Sequence, residues 1–134
     1  MRAQCQCGQL TADVTASPDA VSACHCRDCQ RRSGSPFGVI AYFPAEAVAV
    51  AGEAQTYTRP TDSGATFTTG FCPRCGATVW VRADKHPASI GVPVGAFADP
   101  AFPPPVRSVY EQSRHTWVVM PGDIPRFPRG RTGG

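Results

Sequence analysis

Seven cysteines fall into three tight groups: Cys5 and Cys7 in "CQCG", Cys24, Cys26 and Cys29 in "CHCRDC", and Cys72 and Cys75 in "FCPRCG". An odd number cannot all pair as disulfides. Zinc takes thiolates at tetrahedral geometry, and closely spaced pairs set two ligands with one local turn. "CPRCG" has the spacing of a zinc knuckle, with a glycine that lets the backbone turn toward sulfur. Redox dithiols share that spacing, so a second pair is needed to decide. Cys5 and Cys7 supply it. In an extended strand alternate side chains share a face, which puts both sulfurs on one side and Gln6 on the other. Cys5, Cys7, Cys72 and Cys75 then form a four-thiolate structural zinc site. Such a site contributes on the order of 10 kcal/mol to folding, comparable to the whole stability of a small domain.

Cys24 and Cys26 repeat the one-residue spacing, and Cys29 adds a two-residue step. By the same alternation His25 faces away, so three thiolates converge with a fourth position left open. Three protein ligands and a vacancy is the pattern of catalytic rather than structural zinc. Three other arrangements stay open on spacing alone. These are a triplet that holds only reduced thiols, one that completes its shell with His25, His86 or His115, and one that shares its ligands with the four-cysteine site. Three thiolates leave Zn²⁺ with a net negative charge, which blunts its power to acidify water. An electron-rich centre of this kind suits holding or exchanging another thiolate. Arg27, Arg31 and Arg32 lie beside the triplet, as partners for a substrate carboxylate or simply as a solvated turn.

These groups must be positioned by short strands. Fourteen prolines and 13 glycines break the 134 residues into brief segments. Residues 2–16 read as a hairpin turning at Gly8, with Leu10, Ala12, Val14 and Ala16 alternating with polar residues. Further strands are expected in "FGVIAYF", "AVAVAG", "AQTYTR", "ATFTTGF", "ATVWVRA", "SIGVPVGAF", "VRSVYEQ" and "TWVVM". One or two helical turns are expected around Asp28 to Ser33. Pro103, Pro104 and Pro105 form a stiff extended connector. The expected class is all-β in a single domain.

Charge and hydropathy narrow the function classes. The net charge is +3, from 13 basic and 10 acidic residues. Arg126, Arg129 and Arg131 lie in the last nine residues, so the body is neutral and the excess sits at the end. Three charges neutralise too few phosphates for much affinity, and nucleic acid is not the expected partner. No apolar run is long enough to span a membrane, and the N-terminus has no secretory apolar core. Metal-type cysteine spacing without such a signal points to the cytoplasm.

The series "CQCG", "CHCRDCQRRSGSPFG", "FCPRCGATVW", "GAFADP", "TWV" and "IPRF" resembles, in that order, the glutathione-dependent formaldehyde-activating enzyme family, which includes the domain of centromere protein V. The resemblance runs to about Phe127, giving a domain of residues 1–127 and a basic flexible tail of 128–134. It implies a zinc-anchored β-tent of short antiparallel strands holding two Zn²⁺. The structural zinc would use Cys5, Cys7, Cys72 and Cys75, and the catalytic zinc Cys24, Cys26 and Cys29. The implied activity joins formaldehyde to glutathione, giving S-hydroxymethylglutathione, in the carbon–sulfur lyase class. The chain departs from the common family pattern at two places. "GAFAD" replaces Gly-Thr-Leu-Asp-Asp, so Ala96 and Ala98 lack a hydroxyl and a carboxylate, and Ser108 stands where many members carry histidine. Both changes spare the zinc ligands and bear on the substrate.

Two functions follow as expectations. One is a zinc-dependent lyase acting on a small thiol adduct, with His25, Tyr42 and Asp99 as acid–base candidates that spacing alone does not bring together. The other is a non-catalytic zinc module for a protein or nucleic-acid partner, favoured by the arginine tail.

Overall fold

The structure is a computed structural model and describes residues 1–131. Three strands, β1 (Arg2–Gln4), β2 (Thr11–Val14) and β5 (Val48–Ala51), form an antiparallel sheet in the order β1-β2-β5. The second sheet contains β3 (Ala20–Cys24), β4 (Gly38–Pro44), β6 (Gln55–Pro60), β7 (Thr66–Phe71), β8 (Thr78–Ala83), β9 (Ser89–Pro93) and β10 (Arg107–Val109). Its order is β10-β3-β4-β9-β8-β7-β6. Every pairing is antiparallel except β10 with β3, which is parallel. One α-helix, α1 (Arg27–Ser33), stands among the described residues, where the sequence places it. It stops at Gly34, whose φ of 66° is the left-handed conformation that glycine adopts without strain.

Alternation along β3 and β4 divides the molecule. On one face Val21, Ala41 and Phe43 join Leu10, Ala12, Val14 and Val79 in the main core. On the other face Ser22, Cys24, Ile40 and Tyr42 line a cavity. Leu10 and Phe43 have no exposed surface, and full burial of one such side chain stabilises by about 1.5–3 kcal/mol. At Gly70 the indole of Trp80 lies across the opposing strand. An added Cβ there would lie 2.0 Å from Trp80 Cε2, so only glycine fits.

The two outer ends of the long sheet approach each other. Tyr110, just past β10, donates to Asp62, just past β6, at 2.9 Å. Arg59 on β6 reaches Asp28 on α1 at 3.5 Å. The cavity lies in this bend. Tyr110 has a φ of 55°, a left-handed backbone that costs a bulky residue energy and ends β10 abruptly.

Several sequence expectations shift. Ala20–Cys24 is a strand that its small, weakly patterned residues did not announce. "VRSVYEQ" keeps only Arg107–Val109 as strand, then turns at Tyr110 into a short 3₁₀ helix, Glu111–Ser113. "SIGVPVGAF" leaves the sheet after Pro93 for a 3₁₀ helix, Val94–Phe97. "TWVVM" is not a strand. Val118 and Met120 are buried beside Ala23 while Trp117 and Val119 face outward, so the alternation reflects burial alone. Its carbonyls are met by side chains instead: Arg114 donates to the Val118 carbonyl at 2.6 Å.

Near the chain's end, Ser108 N–H donates to the Pro125 carbonyl and Tyr110 N–H to the Arg129 carbonyl. Of the expected tail, residues 132–134 lie outside the described residues. No helix among the described residues is long and apolar enough to cross a membrane.

Candidate metal centres

The sulfurs of Cys5, Cys7, Cys72 and Cys75 all lie within 4.8 Å of one another. Cys5 and Cys7 sulfurs are 3.6 Å apart, and Cys7 and Cys72 are 3.7 Å apart. A tetrahedron with zinc–sulfur bonds of about 2.3 Å has edges of about 3.8 Å, so the donor set fits zinc. The local geometry corrects one expectation. Cys5 and Cys7 do not lie in an extended strand, because β1 ends at Gln4 and the chain turns, with Gly8 N–H on the Cys5 carbonyl at 3.1 Å. The second knuckle turns in the same way, with Gly76 N–H on the Cys72 carbonyl at 2.8 Å. Gly8 and Gly76 have φ of 86° and 80°, so both knuckles need glycine where they leave the turn.

Donors surround these sulfurs as they would thiolates. Leu10 N–H points at Cys5 (3.3 Å), and Arg74 N–H (3.3 Å) and the Gln9 amide (3.0 Å) point at Cys72. Burial raises the Cys72 thiol, but the Gln9 amide and the Cys75 and Arg74 N–H groups outweigh it and bring it to about 6.

The sulfurs of Cys24, Cys26 and Cys29 also lie within 4.8 Å of one another. Here the alternation holds. Cys24 ends β3, and Cys26 is extended (φ −64°, ψ 156°) and caps α1, with Cys29 N–H donating to its sulfur at 3.3 Å. The neighbouring Cys24 and Cys29 thiols favour the Cys26 thiolate and lower it to about 2, while Cys26 and Cys29 push Cys24 up. One short loop thus gathers three sulfur donors, with the charge favoured on Cys26, the ligand type a soft cation takes.

His25 turns its side chain to the opposite face and is completely buried. Ser108 donates to Glu111, so its oxygen receives the His25 Nε2–H at 2.9 Å. Nδ1 is then the unprotonated nitrogen, and it is buried without a partner. Burial pushes the His25 pKa down, consistent with a neutral ring. His115 is held by the Gln30 side chain at 2.9 Å, and His86 is exposed in a turn. None of the three joins the triplet. Ser108, on β10, therefore supports the ligand loop from behind through His25.

The triplet opens into a cavity of about 380 Å³. Of the acid–base candidates, Tyr42 lines it, together with Arg27. Burial, then the negative charge of Cys29 and Cys24, pushes the Tyr42 phenol up to about 12. Asp99 sits elsewhere and accepts from Ala101 N–H at 2.9 Å. Ala96 and Ala98 line a separate groove beside Cys5 and Cys75. Arg31 and Arg32 line a second cavity adjoining the first. Sequence reasoning missed Arg59, Phe67 and Tyr110, which also wall the triplet's cavity. They come from distant strands, and nothing in "TYTRP" or "ATFTTGF" marks them apart from any half-exposed strand.

A fold of short strands around two cysteine clusters, one of four sulfurs and one of three facing a cavity, defines a β protein able to hold zinc. Residues 1–113 match the model of the glutathione-dependent formaldehyde-activating enzyme family, and the chain belongs to that family. A crystal structure of a Rhodobacter sphaeroides protein, solved in a structural genomics programme, is similar in fold. Its TM-score is 0.59 at 19% identity, over 94% of this chain and 99% of that one. No curated protein matches the chain.

Proposed function

We propose that the protein is a zinc-dependent carbon–sulfur lyase of the S-hydroxymethylglutathione synthase type, acting on a thiol adduct at Cys24, Cys26 and Cys29. The observation that carries this reading is the contrast between the clusters. Four cysteines close one, while three converge on the other and face a cavity. Zinc held by the triplet supplies a soft Lewis-acid position for the sulfur of an incoming thiol.

The chain's own groups handle the rest. In the synthetic direction the thiol loses its proton and its sulfur bonds to the formaldehyde carbon. The carbonyl π pair moves to oxygen, which takes up a proton. Tyr42, whose phenol stays protonated at neutral pH, donates a hydrogen bond to that oxygen as charge develops on it. Tyr42 reaches the cavity from the same face of β4 as Ile40, so the strand fixes its position. A non-catalytic nucleic-acid module has weaker support. Arg126 donates to the Met120 carbonyl, and Arg129 lies 3.9 Å from Asp62, so two of the three terminal arginines have internal partners.

Cobalt replaces zinc with visible bands that shift when a further sulfur binds. Titrating glutathione into the cobalt protein is expected to change the spectrum, and Cys29→Ser to abolish the change. Adding labelled formaldehyde is then expected to give the S-hydroxymethyl adduct by NMR faster than without protein. A flat titration at millimolar glutathione, with cobalt shown to be bound, overturns thiol ligation and favours the non-catalytic module.

A further inference from the structure

The cavity at the triplet does not end there. A second cavity of about 440 Å³ lies alongside it, and the two share four lining residues: Asp28, Cys29, Arg59 and Phe67. A ligand with its sulfur beside Cys29 therefore has a direct route past Arg59 into the second space. That space is cationic, with Arg31, Arg32 and Arg59 against the single carboxylate of Asp28. Its other walls are uncharged, among them Phe67, Phe71 and Thr69.

The charges there are unevenly satisfied. Arg31 and Arg32 have no acidic partner within 4.0 Å among the described residues, and Arg32 Nε is buried without any hydrogen-bond acceptor. Arg59 alone is engaged, through one nitrogen. Its Nη1 lies 3.5 Å from Asp28 and 3.3 Å from the Pro60 carbonyl. Its guanidinium lies 4.9 Å over the Phe67 ring, which holds the plane in place and leaves its remaining N–H groups free. A guanidinium fixed on an aromatic face and lacking a bidentate partner is preorganised for a carboxylate.

We propose that this second cavity is a carboxylate subsite, and that Arg59, with Arg31 and Arg32, selects thiols that carry a remote carboxylate. The subsite rests on thiol binding at Cys24, Cys26 and Cys29. It adds a specificity that the cysteines alone lack, because a sulfur ligand by itself does not distinguish one thiol from another. Asp28 holds Arg59 in the empty site and yields it to the ligand's carboxylate.

Glutathione and its diethyl ester share one thiol and differ in their carboxylates. Both are titrated into the cobalt-loaded full chain and followed by the visible bands. The wild type is expected to bind glutathione about tenfold more tightly than the ester, a difference of about 1.4 kcal/mol. Arg59→Met keeps the apolar stem over Phe67 and is expected to erase most of that preference, read as the ratio of the two affinities. Arg31→Gln, on the exposed face of α1, is a second variant that spares the fold and is expected to reduce the preference in part. Equal binding of the two thiols by the wild type overturns the subsite and leaves thiol ligation standing. A preference that survives in both variants also overturns it, and places carboxylate recognition elsewhere, such as at Arg27. No spectral change with either thiol overturns both readings.

Discussion

Cys72→Ser is expected to unfold the chain, whereas Cys29→Ser is expected to leave it folded with one metal ion fewer. Cys72 is completely buried within the main core and closes a cluster that ties residue 5 to residue 72. Fixing two distant stretches at one point removes much loop-closure freedom from the unfolded chain. Structural zinc supplies about 10–16 kcal/mol, against about 5–15 kcal/mol of total stability for a typical domain. Losing a ligand there removes a large part of the total. Cys29 belongs to a cluster whose members lie within six residues, so it closes no long loop. Elemental analysis is expected to give two zinc ions per wild-type chain and one in Cys29→Ser. Thermal melts of the two variants decide the rest, and equal destabilisation would show that the triplet is structural as well.

Phe43→Ala is expected to cost about 3–5 kcal/mol. Phe43 is the largest side chain with no exposed surface, and it meets Phe97 edge-on at 6.1 Å between ring centres. β4 has a distinct position, because its other face carries Tyr42 to the triplet's cavity. A void on the core side therefore lies directly behind the proposed site. Urea unfolding would measure the cost, and a loss below about 1 kcal/mol would mean that the neighbours collapse into the space. Glutathione titration of the same variant is expected to show weaker binding even where the protein stays folded.

The cysteine clusters were legible in the sequence because their spacing is local and chemically specific. "CPRCG" and "CHCRDC" each fix several ligands within six residues, and the separation of His25 from Cys24 and Cys26 follows from a period of two. The Cys5–Cys7 pair reached the right cluster for the wrong local reason, since a glycine-ended turn and an extended strand both bring alternate residues to notice. What escaped was long-range. Arg59, Phe67 and Tyr110 meet the triplet only because the ends of a seven-stranded sheet bend toward each other, and no local pattern encodes that approach. β3 was missed because Ala, Ser and Cys surround its single valine, and "TWVVM" was misread because burial alternates there without a partner strand.

The parallel pairing of β10 with β3 has a consequence for the order of events during synthesis. All seven cysteines precede residue 76, but the wall contributed by Val109 and Tyr110 comes more than thirty residues later. At a translation rate of about 5–20 residues per second, the triplet, complete at Cys29, exists for about 4–16 s before that wall can dock. The nascent chain can therefore gather all its cysteines and the arginines of the second cavity before the triplet's cavity gains its last wall. Ribosome-stalled chains ending before Arg107 are expected to take up cobalt at both clusters and already to prefer glutathione to its diethyl ester, because every wall of the second cavity precedes residue 79. Stalled chains that bind both thiols equally would show that the preference needs the last strand as well.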